Sequence, residues 1–369
     1  MSEDWTLYVG DRLNGRQAQV DLYHSLALVI RHNAVSTWAL ELPTDSEAGA
    51  AFLDLENPRL IVKYKNQTVR SGPLTHTERV VSVVGDDLRL NGVDDLAWLG
   101  GRVAHPTPAL AAPPYNTQGY DVRTGNAAQV LAQYIDVNAG PSAVAARRVP
   151  GLVVPVPAAA GPSGVTLSAR YQSLAEFVLS NAEAYGLGVR IVDLSVSVAA
   201  PANTGAVFSL ELGTMASLAA VADAPTSNFV YVAGQGTDTS RLIVEVSDAP
   251  SLATWGRFET FQDRRDTNDT AQLTQAGRET LTQAVKAPSV EFEVLDSPSQ
   301  AFLTNWRVGD LATVQVGGEV RTDVIREVTV RLDGGKAVQM TARIGSSGDL
   351  ALFRSALDQG RRIRQLERA

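Results

Sequence analysis

The stretch from Val328 to Ile344 alternates apolar and polar residues with a period of two. Val328, Val330 and Leu332 fall on one face, Asp333-Gly334-Gly335-Lys336 makes a turn, and Val338, Met340, Ala342 and Ile344 return. Only a strand places every second side chain on one side, and a glycine-rich turn between two such runs predicts a hairpin. The same alternation recurs at Val290, Phe292 and Val294 against Glu291 and Glu293, and at Trp38, Leu40 and Leu42. Such a chain must bury sheet faces. From Trp255 to Gly345 its residues read as walls for partners, with nothing resembling a convergent set of catalytic groups.

A length of 369 residues suggests about two to four domains. With 44% hydrophobic residues the chain can build real cores, which excludes general disorder. A net charge of −8 argues against a dedicated nucleic-acid binder. An acidic wall still lets a polyanion slide past without sticking. Cysteine is absent, so disulfides and thiolate metal ligation are ruled out. The start, Met-Ser-Glu-Asp-Trp, is acidic and no apolar run follows, so no signal peptide is expected. No segment approaches the roughly 20 apolar residues of a membrane-spanning helix. The expectation is a soluble chain made in a cytoplasm.

The first hundred residues predict strands at Val20–Tyr23, Leu26–Ile30, Trp38–Leu42, Leu60–Val62 and Val80–Val84, with a short helical turn over Asp94–Leu99. A helix beginning at Thr124 carries Ala127, Val130, Leu131, Tyr134 and Ile135 on one face. A second opens with a capping box, Ser173 with Glu176, and buries Leu174, Phe177, Val178, Ala182 and Tyr185. Between them, Asn138 to Gly164 is rich in Ala, Pro and Gly and reads as a linker or surface loop. Strands resume at Val189–Val192, Phe208–Leu212, Phe229–Val232 and Leu242–Val246, and a third helix spans about 269–286 with Leu273, Ala276, Leu281, Ala284 and Val285 inward. The fold class is α+β, predominantly antiparallel β. A faint echo runs through it: Leu60 precedes Val69-Arg70-Ser71 by nine residues and Leu74 by fourteen, as Leu311 precedes Val320-Arg321-Thr322 and Ile325.

Candidate chemistry is sparse. Glu259, Asp263, Asp266 and Asp269 form the best metal or paired-carboxylate candidate, but Arg257, Arg264 and Arg265 are interleaved with them. Charge pairing and helix capping explain these acids without a ligand. His24, His32, His76 and His105 lack the spacing of zinc ligands. Gly234-Gln235-Gly236 lacks a third glycine and a following helix, so it reads as a turn. There is no Gly-x-Ser-x-Gly elbow, no P-loop and no positioned Ser/His/Asp set. No catalytic, cofactor or metal residue is assigned, and no cofactor is expected.

The C-terminal segment, residues 349–369, is different. Leu350, Phe353, Leu357, Ile363 and Leu366 form an apolar stripe beside Arg361, Arg362 and Arg364, with Gly360 interrupting it. Such a basic amphipathic helix docks on its own domain or offers an oligomer or partner interface.

Three groups of residues carry a family resemblance. They are Trp38-Ala39-Leu40-Glu41-Leu42-Pro43 with Leu60-Ile61-Val62 and Leu90-Asn91-Gly92-Val93-Asp94-Asp95-Leu96 and Arg102; Asn228-Phe229-Val230-Tyr231-Val232-Ala233-Gly234-Gln235-Gly236; and Trp255 to Asp266 with Asn305-Trp306-Arg307-Val308-Gly309-Asp310 and Arg343-Ile344-Gly345. In order and spacing the chain resembles the tail-tip (baseplate) hub proteins of siphophages, particularly those of actinobacterial phages, relatives of the central hub of contractile-phage baseplates. The resemblance implies a homotrimer whose subunits each give two tube-type β-barrels plus lateral domains, so that three chains present six similar units. It implies a first barrel over 1–108, a lateral α/β domain over 109–200 with its loop at 138–164, a second lateral β-rich domain over 201–264 and a second barrel over 265–348.

The partners implied are a hexameric distal tail protein above, a tape-measure protein in the lumen, and a separate tip, fibre or spike protein below. DNA passes transiently without specific binding. The location implied is the virion tail tip, assembled in the host cytoplasm. Longer relatives continue into fibre, carbohydrate-binding or peptidoglycan-degrading regions that this sequence does not show. Two other readings compete with a non-enzymatic hub: a tail-associated cell-wall hydrolase using Glu259, Asp263 or Asp266, and a carbohydrate-binding receptor adhesin using Trp255 and Trp306.

Overall fold

A computed structural model describes residues 4–345, except 84, 114, 116, 222–223, 266, 285–288, 299, 317–318 and 334–337. The chain divides into two compact units, a large one (Met1–Ser217, Phe292–Gln315 and Arg321–Ile344) and a small one centred on Leu218–Glu291.

The large unit begins with strands in which alternate side chains are buried: β1 (Trp5–Gly10), β2 (Arg16–Gln19), β3 (Ser25–Arg31) and β4 (Thr37–Pro43). Helix α1 (Glu47–Asp54) follows, its first turn capped by Ser46, whose Oγ accepts from the Gly49 N–H at 3.0 Å. Then come β5 (Arg59–Tyr64), the 15-residue β6 (Gln67–Val81), β7 (Asp86–Val93) and the short α2 (Ala97–Gly100). All neighbours among β1–β7 pair antiparallel.

The lateral part of this unit holds β8 (Asp121–Gly125), α3 (Ala127–Ala139), β9 (Val165–Ala169), α4 (Leu174–Ala184), β10 (Gly188–Val192) and β11 (Ser195–Ala199). Val130, Leu131, Tyr134 and Ile135 of α3 and Leu174, Phe177 and Val178 of α4 share one core with Val189 and Ile191 of β10. Ser173 caps α4 by accepting from the Glu176 N–H at 3.4 Å. The α3 helix starts later than Thr124, which lies in β8. The segment 138–164 does more than link. Ala143, Val149 and Leu152 are buried, the Val149 N–H donates to the Ala139 carbonyl at 2.8 Å, and the segment closes over α3 because its few apolar residues need cover.

After β12 (Asn203–Ser209) and β13 (Met215–Val221) the chain forms the small unit. There β14 (Phe229–Ala233) pairs antiparallel with β15 (Ile243–Ser247), and α5 (Ala249–Trp255), capped by Asp248, leads to β16 (Glu259–Asp263), parallel to β14. Helix α6 (Thr270–Ala284) lies on this sheet through Leu273, Ala276 and Leu281 against Val230, Val232 and Val246. A Cβ on Gly277 would stand 2.6 Å from Val246 Cγ2, so glycine permits the close approach. Helices α1 and α5 answer to no expectation drawn from the sequence. Val285, expected on the inward face of α6, lies outside the described residues.

The chain then returns to the large unit through β17 (Ser289–Val294), β18 (Leu311–Val316), the 15-residue β19 (Glu319–Asp333) and β20 (Gln339–Ile344). The expected alternation is present: Val328, Val330, Leu332, Met340, Ala342 and Ile344 are all buried. The turn between these strands lies largely outside the described residues.

The strands other than β8–β11 and β14–β16 join into one curled, mostly antiparallel sheet, ordered β13-β17-β20-β19-β3-β4-β7-β6-β5-β1-β2, with β18 beside β19 and β12 beside β18. Setting β2 aside as an added edge, β1 and β3–β7 form a six-stranded set, and β12, β13 and β17–β20 another. Counted along the chain, each set is ordered second, third, sixth, fifth, fourth, first. Leu60 and Leu311 sit on the fourth strand of their sets, and Val69-Arg70-Ser71 and Val320-Arg321-Thr322 on the fifth. The sets differ where the first strand meets the fourth, antiparallel for β1–β5 and parallel for β12–β18. They meet at the antiparallel pair β3–β19.

Candidate functional site

The end of β3 carries Arg31-His32-Asn33. Arg31 Nε donates to Glu327 Oε2 at 2.9 Å, and its Nη1 donates to the Val35 carbonyl at 3.1 Å. Asn33 takes a left-handed conformation with φ of 48°, which its short polar side chain tolerates. Its amide then binds the lateral part: Nδ2 donates to the Leu187 carbonyl at 2.8 Å and Oδ1 accepts from the Val189 N–H at 2.8 Å. Beside it Arg326 Nη1 meets Glu183 Oε1 at 2.5 Å.

The His32 ring is wedged between two glycines. A Cβ on Gly188 would lie 2.8 Å from its Cε1, and one on Gly309, where φ is +93°, 2.9 Å from its Nδ1. Burial, with the nearby Arg326 cation, pushes the imidazole down to about 4 against the opposing pull of Glu183. His32 is therefore neutral at pH 7.

Around His32 opens a cavity of about 250 Å³, lined by Arg31, Arg70, Arg190 and Arg307 among others. Arg70, Arg190 and Arg307 also line an adjoining cavity of about 200 Å³. Arg70 comes from β6, where its Nε lies 3.5 Å from Asp94, and burial pushes its guanidinium down to about 10 although Asp94 opposes this. Arg307 stands 3.9 Å from Asp310 and donates to the Leu303 carbonyl at 3.3 Å. Arg190 comes from β10. Among the described residues it has no hydrogen-bond or ion-pair partner, and burial and then the Arg307 cation lower its pKa against the pull of Asp310. These four arginines lie far apart in sequence, and no local motif could have grouped them.

The acidic cluster does not converge. Glu259 and Asp263 share a face of β16 but stand about 13 Å apart along it, at roughly 3.3 Å per residue. Glu259 pairs with Arg257 at 2.6 Å, while the Arg257 guanidinium lies 3.6 Å over the Phe229 ring. Asp263 is bound by Arg241 and, at 3.1 Å, by Arg265. Asp269 Oδ1 accepts from the Ala271 N–H at the start of α6. Asp266 lies outside the described residues. Among the described residues no group of three or more His, Asp or Glu could hold a metal ion.

The other motifs sort simply. His24 pairs with Asp87 at 2.9 Å, and His105 packs edge-on to Tyr115 and Tyr171. Gly234-Gln235-Gly236 is part of the connection between β14 and β15. Trp306 is buried at 1% exposure, whereas Trp255 is 41% exposed. The stripe Leu350, Phe353, Leu357, Arg361, Arg362, Ile363, Arg364 and Leu366 lies outside the described residues. No described helix is long and apolar enough to cross a membrane.

Solved structures share this architecture. The 43 kDa tail protein of prophage MuSo2 from Shewanella oneidensis matches with a TM-score of 0.55 at 11% identity, over 94% of this chain and 98% of that one. The tail protein from Neisseria meningitidis MC58 matches with a TM-score of 0.54 at 14% identity, over 96% and 99%. At such identities the likeness concerns the fold. No curated protein matches the sequence. The model of the family described as "Siphovirus ReqiPepy6 Gp37-like protein" matches residues 6–346. That match spans both six-stranded sets, the lateral part and the small unit, so the chain belongs to this siphovirus protein family.

Proposed function

We propose that this chain is the hub of a phage tail tip: a homotrimeric ring that closes the tail tube, adapts its six-fold symmetry to a three-fold tip and opens for DNA. The observation that carries the reading is the repeated strand order. Two sets with one topology in each chain give six similar wall units in a trimer, which is the match a six-fold tube requires. In this reading β1 and β3–β7, within residues 1–108, supply one tube-type wall unit and β12, β13 and β17–β20 the other, while 109–200 and the small unit are the lateral domains. The expected bounds 201–264 and 265–348 give way because β12 and β13 pair into the second set and α6 packs on the β14–β16 sheet. The distal tail protein stacks above, the tape-measure protein enters the lumen, and a tip, fibre or spike protein attaches below. The segment 349–369 provides an interface for a second copy or for that tip protein.

The test is light scattering on the purified chain, followed by imaging of tails carrying a labelled copy. Three chains per ring at the distal end of the tube are expected. A strictly monomeric protein absent from tail tips would overturn the proposal.

A further inference from the structure

Four arginines, Arg31, Arg70, Arg190 and Arg307, line one cavity together with Asp310. Their compensation is incomplete. Arg31 is paired with Glu327, but Glu327 also faces Arg343 at 3.8 Å. Arg70 is paired with Asp94, and Arg307 only loosely with Asp310 at 3.9 Å. Arg190 has no paired acid among the described residues. Three carboxylates, one of them shared, thus oppose four cations, and His32 adds no charge near neutral pH. An uncompensated cation in a partly desolvated site is destabilising. The usual remedy is an anion, and guanidinium forks match the oxygens of phosphate and sulfate.

We propose that this cavity binds a small tetrahedral oxyanion of the phosphate or sulfate class, held chiefly by Arg190 and Arg307 with Arg70 behind them. The three side chains come from β10 of the lateral part, the loop before β18 and β6 of the first set. One bound anion therefore neutralises three cations, from segments far apart in sequence, that otherwise repel one another. The recess suits a compact free ion, and the three cations converge on one volume instead of running along a groove.

The experiment is thermal unfolding of the full chain in chloride, phosphate, sulfate and acetate at matched ionic strength, with calorimetric titration of phosphate. A saturable rise in Tm of roughly 2–5 °C with phosphate and sulfate, beyond that with chloride, is expected. Arg190→Gln breaks no hydrogen bond or ion pair among the described residues, and the attraction it takes from Asp310 is offset by the repulsion it lifts from Arg70 and Arg307. It should therefore fold with a Tm in chloride close to the parent's and lose the phosphate-dependent rise. Arg190→Lys, which keeps the charge but not the fork, should bind phosphate about tenfold more weakly. Equal effects of chloride or acetate would overturn the proposal. So would an unaltered phosphate response in Arg190→Gln, or the absence of any calorimetric signal with the parent protein.

Discussion

The two six-stranded sets share a strand order but are held together by different chemistry. In the first, the buried Arg59 guanidinium pairs with the buried Asp95 carboxylate, which also accepts from Ser71 Oγ at 2.6 Å. Asn14 completes the network, accepting from Arg59 Nε at 2.7 Å and donating to Ser71 at 3.1 Å. Burial holds the Asp95 carboxyl above its ordinary value even beside Arg59. In the second set the largest fully buried side chains are rings. Phe208 lies 4.7 Å from Phe292 and edge-on to Trp306 at 5.2 Å, and Phe302 lies 4.9 Å from Trp306. A charged network is all-or-none, since each member orphans the others when removed, whereas an aromatic cluster degrades by volume. One topology therefore accommodates two kinds of interior.

The largest expected effect breaks the first network. Asp95→Ala leaves Arg59 buried and unpaired, and should cost about 3–5 kcal/mol in denaturant unfolding. The combination Arg59→Met, Asp95→Leu and Ser71→Ala should recover most of that loss, because no buried charge is left behind. If the combination is as damaging as Asp95→Ala alone, the network is not the charge-compensated unit described here.

A somewhat smaller effect belongs to the seam between the sets, where the backbone N–H of His32 donates to the Arg326 carbonyl at 2.9 Å. The folded protein holds His32 down to about 4, below the roughly 6.5 of an unfolded chain. Between those values the unfolded state binds the extra proton, so stability is lost as pH falls from about 6.5 to 4, by at most about 3 kcal/mol. Comparing Tm against pH for the parent and His32→Gln isolates this contribution. The variant should show the shallower slope through that window, and parallel curves would place the acid sensitivity elsewhere.

How far the sequence disclosed these features depends on the range of the forces involved. The alternation at Val328, Val330 and Leu332 is local, so strand faces were readable, as was the Ser173 cap. The echo of Leu60 and Leu311 was visible only as spacing, and the strand order gave it meaning. Arg59 and Asp95, or Arg31, Arg70, Arg190 and Arg307, meet only once the sheet has brought distant segments together. No periodicity carries that information. The acidic residues around 259–269 drew attention because they are close in sequence, but a strand spreads them along its length and nearby arginines occupy them.

The smallest effect tests the second interior. Trp306 fills its site beside Phe208 and Phe302, and its Nε1–H donates to the Gln300 carbonyl at 2.9 Å. Trp306→Phe keeps an aromatic ring while losing that hydrogen bond and part of the volume. A cost of about 1–2 kcal/mol is expected, measured by denaturant unfolding. Adding Phe208→Leu should then lower stability further, roughly in proportion to the volume removed, because no member of this cluster carries a charge for another to neutralise. A double variant as stable as Trp306→Phe alone would show that the rings do not act as one packed unit. Recovery on the second substitution would place this interior in the same all-or-none class as Arg59 and Asp95, and the contrast between the sets would be lost.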